Sequence, residues 1–256
     1  MRSLPEKDRR SIAGFYNKKI KMHLFYTSEI NGNIAILNES ETRHCKVVLR
    51  KKQGDEIVIT NGKGVSYKAE ILELGKRNTT LSVLTEIERI SPPLRQLFLA
   101  FALTKSSSRF EWMIEKCVEV GVSGFIPLLC ERSERKKFNY SRTADIALSA
   151  MKQSGRLFLP ELHPLVSVDE AVQILKQKGV GRIYSAGQKA ENNILDVDDG
   201  KEHSAVFIGP EGDFSETELN FMHQNGMNYV NLNGYRLRTE TAGLVAITLL
   251  NARQAV

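Results

Sequence analysis

The amino-acid sequence predicts an α/β fold class, with a parallel sheet in the long C-terminal part and a smaller all-β part before it. Three observations support this prediction. Residues 24–90 show alternating strand patterns separated by turn residues. Ser91-Pro92-Pro93 then interrupts the pattern, because proline donates no hydrogen bond to a sheet ladder. Beyond the prolines, strand-like and helix-like segments alternate, which is typical of parallel sheets.

The chain is expected to have three parts. Residues 1–21 are polar and carry seven Lys or Arg against two Asp or Glu, which is +5 of the total net charge of +6. We interpret them as a flexible basic extension. Residues 22–92 then form the β domain and residues 93–256 the α/β domain. Because the body of the protein is nearly neutral, any polyanion must be held by local basic clusters.

The β domain contains a predicted hairpin. Its strands are Glu56–Thr60 and Val65–Leu74, and the Asn61-Gly62 pair between them supplies the positive φ angles of a tight turn. Thr79–Ile87 is a further predicted strand.

The α/β domain begins with a strand, helix and strand. Leu97–Leu103 and Phe125–Leu129 are apolar strands, and the helix between them ends at Gly121. Its apolar residues follow helical spacing: Phe110, Met113, Ile114, Cys117 and Val118.

Three more strands and four more helices complete the α/β domain. A helix is expected near Ser141, and capping boxes predict helix starts at Ser167 with Glu170 and at Ser215 with Glu218. The second of these helices should end at Asn225-Gly226. The remaining predicted strands are Arg182–Ser185, Ala205–Ile208 and Tyr229–Leu232. A final helix over Gly243–Leu250 is apolar on all sides, which predicts that it is buried.

Composition excludes several classes of protein. The chain is 41% hydrophobic and 26% charged, as expected for a globular protein. It has no apolar run long enough to span a bilayer and no secretory signal pattern. Its three cysteines are far apart and have no metal-ligand spacing. We therefore expect a cytoplasmic protein with no membrane partner and no bound metal.

Ligands of parallel sheets bind at loops that follow the carboxyl ends of the strands. Four such loops are candidates: Thr104–Arg109, Ala186–Lys189, Gly209–Gly212 and Asn233–Thr241. The sequence has neither the glycine fingerprint of dinucleotide-binding proteins nor the phosphate-binding loop of ATPases, which argues against a nucleotide-dependent oxidoreductase.

Two of these loops carry the strongest signals. Gly209-Pro210-Glu211-Gly212 is either a simple turn before a capped helix or a loop whose glycines let the backbone approach a flat ligand. Helix capping alone would explain Thr239 at the start of the last helix. It does not explain Arg238, because the helix dipole disfavours a cation at this end. A bound anion or an ion pair is the better explanation.

The motifs at these loops resemble those of a known enzyme family. Phe207-Ile208-Gly209-Pro210-Glu211-Gly212 followed by Leu237-Arg238-Thr239-Glu240-Thr241-Ala242 is similar to the signature of SPOUT methyltransferases, specifically the RsmE family of 16S rRNA uridine N3-methyltransferases. Upstream matches extend the resemblance over residues 22–256. They are Glu115–Val122, Glu131-Arg132-Ser133, and Gln153-Ser154-Gly155-Arg156 with Pro160.

The resemblance implies a PUA-like β-barrel, a SPOUT domain with a C-terminal trefoil knot, and a homodimer. It also implies S-adenosylmethionine (SAM) as cofactor and 16S rRNA or the small ribosomal subunit as partner. The implied cofactor residues are Leu103, Ala186, Ile208, Gly209, Pro210, Glu211, Gly212, Leu232, Asn233, Gly234, Leu237, Thr239 and Thr241. The chain departs from the family at Asn233 and Asp213, where family members usually have glycine.

Methylation of uridine N3 requires loss of its proton and stabilisation of the resulting anion. Arg238 and Arg236 are the candidates for stabilising this anion. Glu240 is a candidate base or a group that orients an arginine, although pairing with the helix N-terminus explains it equally well.

Basic residues are the candidates for RNA contacts, and a solvated charged face is the alternative for them. They are Arg43, Lys46, Arg50, Lys51 and Lys52 with His44 in the β domain, and Lys105, Arg109 and Arg132 in the α/β domain. Arg135, Lys136 and Lys137 extend the second group. His44 is given no catalytic role.

Two other functions remain open from the sequence. The first is a ribose 2′-O RNA methyltransferase of related fold, and the second is a non-catalytic RNA-binding protein of ribosome assembly. Binding of SAM would exclude the assembly protein.

Overall fold

The computed structural model describes residues 23–253, which form two compact units. The described part of the first unit comprises residues 23–60 and 66–87, and that of the second comprises residues 61–65 and 88–253. The basic extension predicted for residues 1–21 lies outside the described residues.

The first unit is built on a six-stranded sheet with the order β1-β4-β5-β6-β3-β2. The strands are β1 (Leu24–Tyr26), β2 (Glu29–Asn31), β3 (Ile34–Leu37), β4 (Glu56–Thr60), β5 (Val65–Leu74) and β6 (Thr79–Arg89). The predicted hairpin is confirmed, since β4 and β5 pair antiparallel with Ile57 opposite Ala69. Its loop has a positive φ at both Gly62 and Gly64.

A short helical segment interrupts the first unit where the sequence pattern predicted only strands. Helix α1 (Glu39–Arg43) runs directly into a π-helical turn (His44–Val48). The Asn38 side chain starts α1 by accepting a hydrogen bond from the Glu41 amide at 2.9 Å. Side-chain capping therefore outweighs the local strand propensity here.

The second unit contains a six-stranded sheet in which all five neighbouring pairs of strands are parallel. Its order is β12-β10-β11-β7-β8-β9. The strands are β7 (Leu97–Ala102), β8 (Gly124–Leu128), β9 (Glu161–Leu162), β10 (Arg182–Ala186), β11 (Ser204–Ile208) and β12 (Asn228–Val230). The predicted α/β fold with a parallel sheet is confirmed. The last strand is shorter than predicted, because Asn231 leaves the ladder to pair with Asn193.

Six helices accompany this sheet within residues 88–253. They are α2 (Ser107–Glu119), α3 (Tyr140–Gln153), α4 (Val168–Gln177), α5 (Ile194–Val197), α6 (Glu216–Gln224) and α7 (Thr239–Ala252). Both predicted capping boxes are present, at the starts of α4 and α6. No helix of the described residues is long and apolar enough to cross a membrane.

Helix α7 is only partly buried, although its sequence predicted burial on all sides. Gly243 faces the core, where a Cβ atom would come within 2.3 Å of Met113 Sδ on α2 and 3.2 Å of Leu99 Cδ2 on β7. Leu244 and Val245 on the other face remain half-exposed. One face of α7 is therefore fixed against the sheet, while part of its apolar surface stays accessible in the single chain.

A buried ion pair ties the start of the sheet to the end of α7. Arg95, 3% exposed, donates to Asp198 Oδ1 at 2.5 Å and to the Leu250 carbonyl at 3.1 Å. The hydroxyl of Tyr184 also donates to Asp198 Oδ1, at 3.0 Å. The C-terminal helix is therefore held by polar contacts as well as by packing, although Asp198 Oδ2 itself has no hydrogen-bond partner among the described residues.

Candidate active site

A cavity of about 580 Å³ lies at the carboxyl edge of the parallel sheet. Three loops line it: residues 186–189 after β10, residues 208–213 after β11, and residues 231–239 between β12 and α7. Its volume falls in the range that small-molecule sites occupy. The fold therefore brings together three segments that are distant in the sequence.

A side-chain hydrogen bond joins two of these segments directly. The Thr239 hydroxyl, at the first position of α7, donates to the Gly209 carbonyl at 3.1 Å. Arg238 occupies the N-cap position and makes no side-chain capping bond. Thr239 therefore connects the last helix to the glycine loop and does not cap the helix.

The glycine loop is held in place from several sides. A Cβ atom on Gly209 would come within 3.1 Å of the Phe214 ring, so a larger residue is disfavoured there. The Arg132 guanidinium donates to the carbonyls of Gly212 and Phe214 at 3.0 and 3.1 Å. Asp213 has a φ of 63°, and its carboxylate accepts from the Phe214 amide at 2.8 Å.

The loop after β10 requires a glycine at position 187. A Cβ atom there would lie 2.0 Å from the Tyr229 hydroxyl oxygen, which no side chain can tolerate without displacing the ring. Burial, together with the nearby Asp213 carboxylate, raises the pKa of Tyr229, so this phenol stays protonated at neutral pH. The backbone next to the cavity is therefore closely packed.

Two backbone N–H groups in the cavity wall are available for a ligand. The amides of Leu232 and Leu237 make no hydrogen bond within residues 23–253. Asn233, between them in sequence, accepts from the Tyr235 amide at 3.0 Å and so shapes the turn. Free amides beside an apolar wall can bind the acceptor atoms on the edge of a flat heterocycle.

The side chains that line the cavity carry more positive than negative charge. Four cations and two carboxylates are among its lining residues: Arg109, Lys189, Arg236 and Arg238, with Glu211 and Asp213. Arg109 lies between two carboxylates, since its guanidinium is 3.9 Å from Glu211 Oε1 and 3.9 Å from Glu240 Oε1. The Arg238 side chain has no hydrogen bond or ion pair within the described chain.

Two family models match the chain. Residues 91–251 match an RNA methyltransferase domain, and residues 37–84 match an RNA methyltransferase PUA domain. The ribosomal RNA small subunit methyltransferase E of Aquifex aeolicus is 30% identical over 233 residues, which is 90% of this chain and 99% of the relative.

This chain belongs to the RsmE family. The predicted resemblance and the PUA-like N-terminal domain are thereby confirmed.

Solved structures similar to this chain have the same fold. The RsmE protein of Neisseria gonorrhoeae, solved bound to SAM, is 26% identical, with a TM-score of 0.77 and coverage of 90% of this chain and 97% of that one. A Legionella pneumophila protein in complex with SAM is 26% identical, with a TM-score of 0.82 and coverage of 91% and 98%.

The structure gathers most of the residues that the RsmE resemblance assigned to the cofactor. Lining the cavity are Ala186, Ile208, Gly209, Pro210, Glu211, Leu232, Asn233, Leu237 and Thr239, together with Arg236 and Arg238. Not among the lining residues are Leu103, Gly212, Gly234, Thr241 and Glu240. The assignment of these residues to cofactor and catalysis stays a prediction.

Seven residues that line the cavity were not assigned as site residues from the sequence. They are Gly187, Gln188, Lys189, Asp213, Asn231, Tyr235 and Ala242. The loop after β10 was identified as a ligand loop, but only Ala186 was selected from it. Tyr235 could have been selected from the sequence, because it lies inside the predicted ligand loop Asn233–Thr241 and directly precedes Arg236.

One departure from the RsmE pattern has a physical explanation. Asp213 stands where members of the family usually have glycine, and its positive φ is the conformation that favours glycine. Aspartate tolerates this region better than most residues, because its side chain bonds locally to the backbone. The loop geometry is thus kept despite the substitution.

The predicted RNA-binding residues differ in how they are engaged. In the second unit, Lys105 lies 3.1 Å from Glu134, and Arg132 supports the glycine loop. In the first unit, Lys51 donates to the Glu56 carbonyl at 3.1 Å. The predicted RNA-binding residues of that unit that are exposed to solvent are Arg43, Lys46, Arg50 and Lys52. His44 packs against Phe25. Their contacts with RNA stay predictions.

Proposed function

We propose that this protein transfers the methyl group of SAM to N3 of a uridine in the 16S rRNA of the small ribosomal subunit. The observation that carries the proposal is the junction of the glycine loop with the start of α7, where Thr239 and Gly209 are hydrogen bonded beside the cavity. Relatives of this family have been solved with SAM bound, and one carries the name of a small-subunit rRNA methyltransferase.

The cavity suits the proposed cofactor. SAM supplies an electrophilic methyl carbon on a sulfonium centre. The free amides of Leu232 and Leu237 provide donors for the edge of its adenine ring, and the glycine loop lets the backbone approach closely. Among residues 23–253 no three His, Cys, Asp or Glu side chains form a metal-binding group. The chemistry proposed here uses no metal.

Arg238 is the proposed stabiliser of the uracil anion. The imide N3 of uridine carries a proton at neutral pH, and negative charge spreads to the neighbouring carbonyl oxygens as this proton passes to water. A guanidinium without an internal partner is ready to donate to these oxygens. Arg236, which donates to the Glu211 carbonyl at 3.4 Å, is the proposed second donor.

Glu240 is proposed to position Arg109 and not to act as the base. Its side chain is largely buried and lies outside the cavity lining, with Oε1 3.9 Å from Arg109 Nε. Arg109 itself lines the cavity and is thus held between Glu240 and Glu211. This arrangement fixes a cation beside the reacting base without requiring proton transfer to Glu240.

The finer architecture implied by the family is part of the same proposal. The domains are residues 22–92 and 93–256, and the C-terminal segment forms a trefoil knot. In support of the knot, the chain after β12 is hydrogen bonded to residues 190–194 before it returns to the glycine loop, and the Asn231 amide donates to the Asn192 carbonyl at 2.9 Å.

The half-exposed apolar residues of α7 support a homodimer. A ribosomal substrate and three free buried cysteines support a cytoplasmic location.

The proposal is tested by mass spectrometry of 16S rRNA nucleosides from a strain that lacks the gene. We expect 3-methyluridine to disappear and to return when the wild-type gene is restored. Restoration with an Arg238→Ala gene should not recover the modification. Unchanged 3-methyluridine in the deletion strain would refute the assignment.

Purified protein separates the two alternative functions. Calorimetric titration with SAM should show binding, whereas a non-catalytic assembly protein should show none. Small subunits from the deletion strain should then accept a labelled methyl group on a base. Label found on ribose would identify a 2′-O-methyltransferase.

A further inference from the structure

A second cavity lies beside the start of α2. It has a volume of about 610 Å³ and is lined by the first residues of α2, by the segment 135–139 and by the first turn of α3. This segment follows β8 and is irregular, so its side chains are presented by a loop at the carboxyl edge of the same sheet. The family resemblance assigned no binding role to the cavity.

Three aromatic rings form one wall of this cavity. Phe110 is buried, with its ring centroid 6.2 Å from that of Phe138. Phe138 in turn lies 6.4 Å from Tyr140, at an interplanar angle of 87°. Tyr140 is 47% exposed and its hydroxyl donates to the Leu162 carbonyl at 3.1 Å. The wall therefore ends in a fixed ring with an accessible face, which can stack on a flat ligand.

The remaining wall is cationic. Arg135, Lys137 and Arg142 line the cavity against a single carboxylate, that of Glu111. Two hydrogen bonds of 2.8 Å join the Arg142 guanidinium to the Glu111 carboxylate, and they lower the pKa of Glu111. Arg135 donates only to a backbone carbonyl, and Lys137 has no partner within the described residues. Two positive charges thus remain for a ligand.

The second cavity adjoins the first through the start of α2. Ser107 lines the second cavity and Arg109 lines the first, so the two cavities lie on different sides of the first turn of α2. A helix with its side chains is about 10–12 Å across. Lys105 also links the two, because its carbonyl accepts from Arg135 and its amide donates to Glu211. An extended RNA strand can bridge this separation within a few nucleotides.

We propose that this second cavity binds a nucleotide of the RNA substrate close to the methylated uridine, with its base stacked on Tyr140 and its phosphate near Lys137 and Arg135. Aromatic faces combined with cations are the recurrent means of holding single-stranded RNA. The inference rests on the proposed function for the identity of the RNA. The second cavity thus holds a neighbouring nucleotide of the RNA unpaired while the target base occupies the first cavity.

The test uses the full-length protein and four variants. Tyr140→Leu removes the stacking ring, and Lys137→Gln removes the unpaired charge. Tyr140→Phe keeps the ring and loses only the bond to Leu162. Lys201→Gln is the charge control, because Lys201 is exposed and precedes β11 at the opposite edge of the sheet. Small subunits from the deletion strain and a single-stranded oligouridine are the RNA probes.

We expect Tyr140→Leu to weaken oligouridine binding and to raise KM for small subunits by about 10-fold, as for the loss of one stacked base. Lys137→Gln should weaken RNA binding less and reduce its salt dependence. Melting temperature and SAM affinity should not change. Tyr140→Phe, which keeps the ring, should retain most of the RNA affinity that Tyr140→Leu loses, and Lys201→Gln should behave as the wild type.

A second measurement locates the bound nucleotide. In the RNA fragment that the wild type methylates, single neighbours of the target are replaced by abasic sites. One replacement should weaken binding to the wild type and leave binding to Tyr140→Leu unchanged, because the two changes remove the same contact.

The outcomes separate the two proposals. If oligouridine affinity and KM are unchanged in Tyr140→Leu while the wild type methylates RNA, the second cavity is not an RNA site and the proposed function stands. If the wild type methylates no RNA, the proposed function fails, and the oligouridine measurement still decides whether the cavity binds RNA. If Tyr140→Leu loses SAM binding or has a lower melting temperature than the wild type, the ring stabilises the fold, and the inference is overturned.

Discussion

The hydrogen bond between Thr239 and Gly209 offers a direct test of how the cofactor cavity is built. Replacing Thr239 with valine keeps the shape of the side chain and removes only the donor. Thr239 is 6% exposed, but Gly209 is half-buried beside the cavity, so water can partly replace the lost donor. Losing a hydrogen bond of this kind costs about 0.5–1.5 kcal/mol. For a domain of this size, such a loss lowers the melting temperature by about 1–6 °C.

The same free energy should appear in cofactor binding. If the glycine loop must be held against α7 for SAM to bind, Kd should rise by a factor between about 2 and 13. Calorimetry gives Kd, and a circular-dichroism melt gives the stability. Thr248→Val is the matched control on the same helix, because the Thr248 hydroxyl is exposed and bonds only to the Leu244 carbonyl, one turn earlier. An unchanged Kd for Thr239→Val, or an equal loss for Thr248→Val, would refute the reasoning.

Three further predictions concern catalysis, stability and thiol chemistry. Arg238→Ala should reduce methyl transfer by about 100-fold or more with an unchanged melting temperature, since this side chain has no partner within the described chain; a fully active variant would remove it from the mechanism. Arg95→Met should destabilise the fold by about 3–5 kcal/mol in a urea titration, because Asp198 is left charged and buried; adding Asp198→Leu should recover part of the loss. Burial raises the pKa of Cys130 to about 12, above its usual 9.0, so the thiol form is favoured in the folded protein. Its contribution to stability is present below pH 9 and falls as the pH rises above that value; a Cys130→Ala variant should lack this part of the decline, and equal declines in both proteins would contradict the prediction.

Local sequence signals predicted the secondary structure of the α/β domain closely. Both capping boxes, the apolar strands and the helical spacing of α2 depend on residues only a few positions apart. The prediction was weakest where a side chain overrides the local pattern, as at α1, where Asn38 starts a helix inside a β region. It also overestimated the burial of α7, because an apolar sequence does not say how much surface one chain can cover.

The candidate site was harder to predict than the fold. The two loops with the strongest motifs were found, because their glycines and charged residues stand out against the surrounding sequence. Gly187 was missed, since nothing near it in the sequence shows that the Tyr229 ring occupies the space of its side chain. The same is true of Arg132, which was predicted to contact RNA and which supports the glycine loop through bonds to residues 80 and 82 positions away.

The sequence by itself determined that a parallel sheet follows a β domain, and its motifs identified the enzyme family. Hydrogen-bonding and apolar patterns repeat over short distances, so they can be read along the chain. Only the tertiary structure decided which side chains meet. The bond from Thr239 to Gly209 and the link from Arg95 to Leu250 join residues that are 30 and 155 positions apart. Such contacts depend on the crossing of strands and helices in space, and no local pattern in the sequence encodes them.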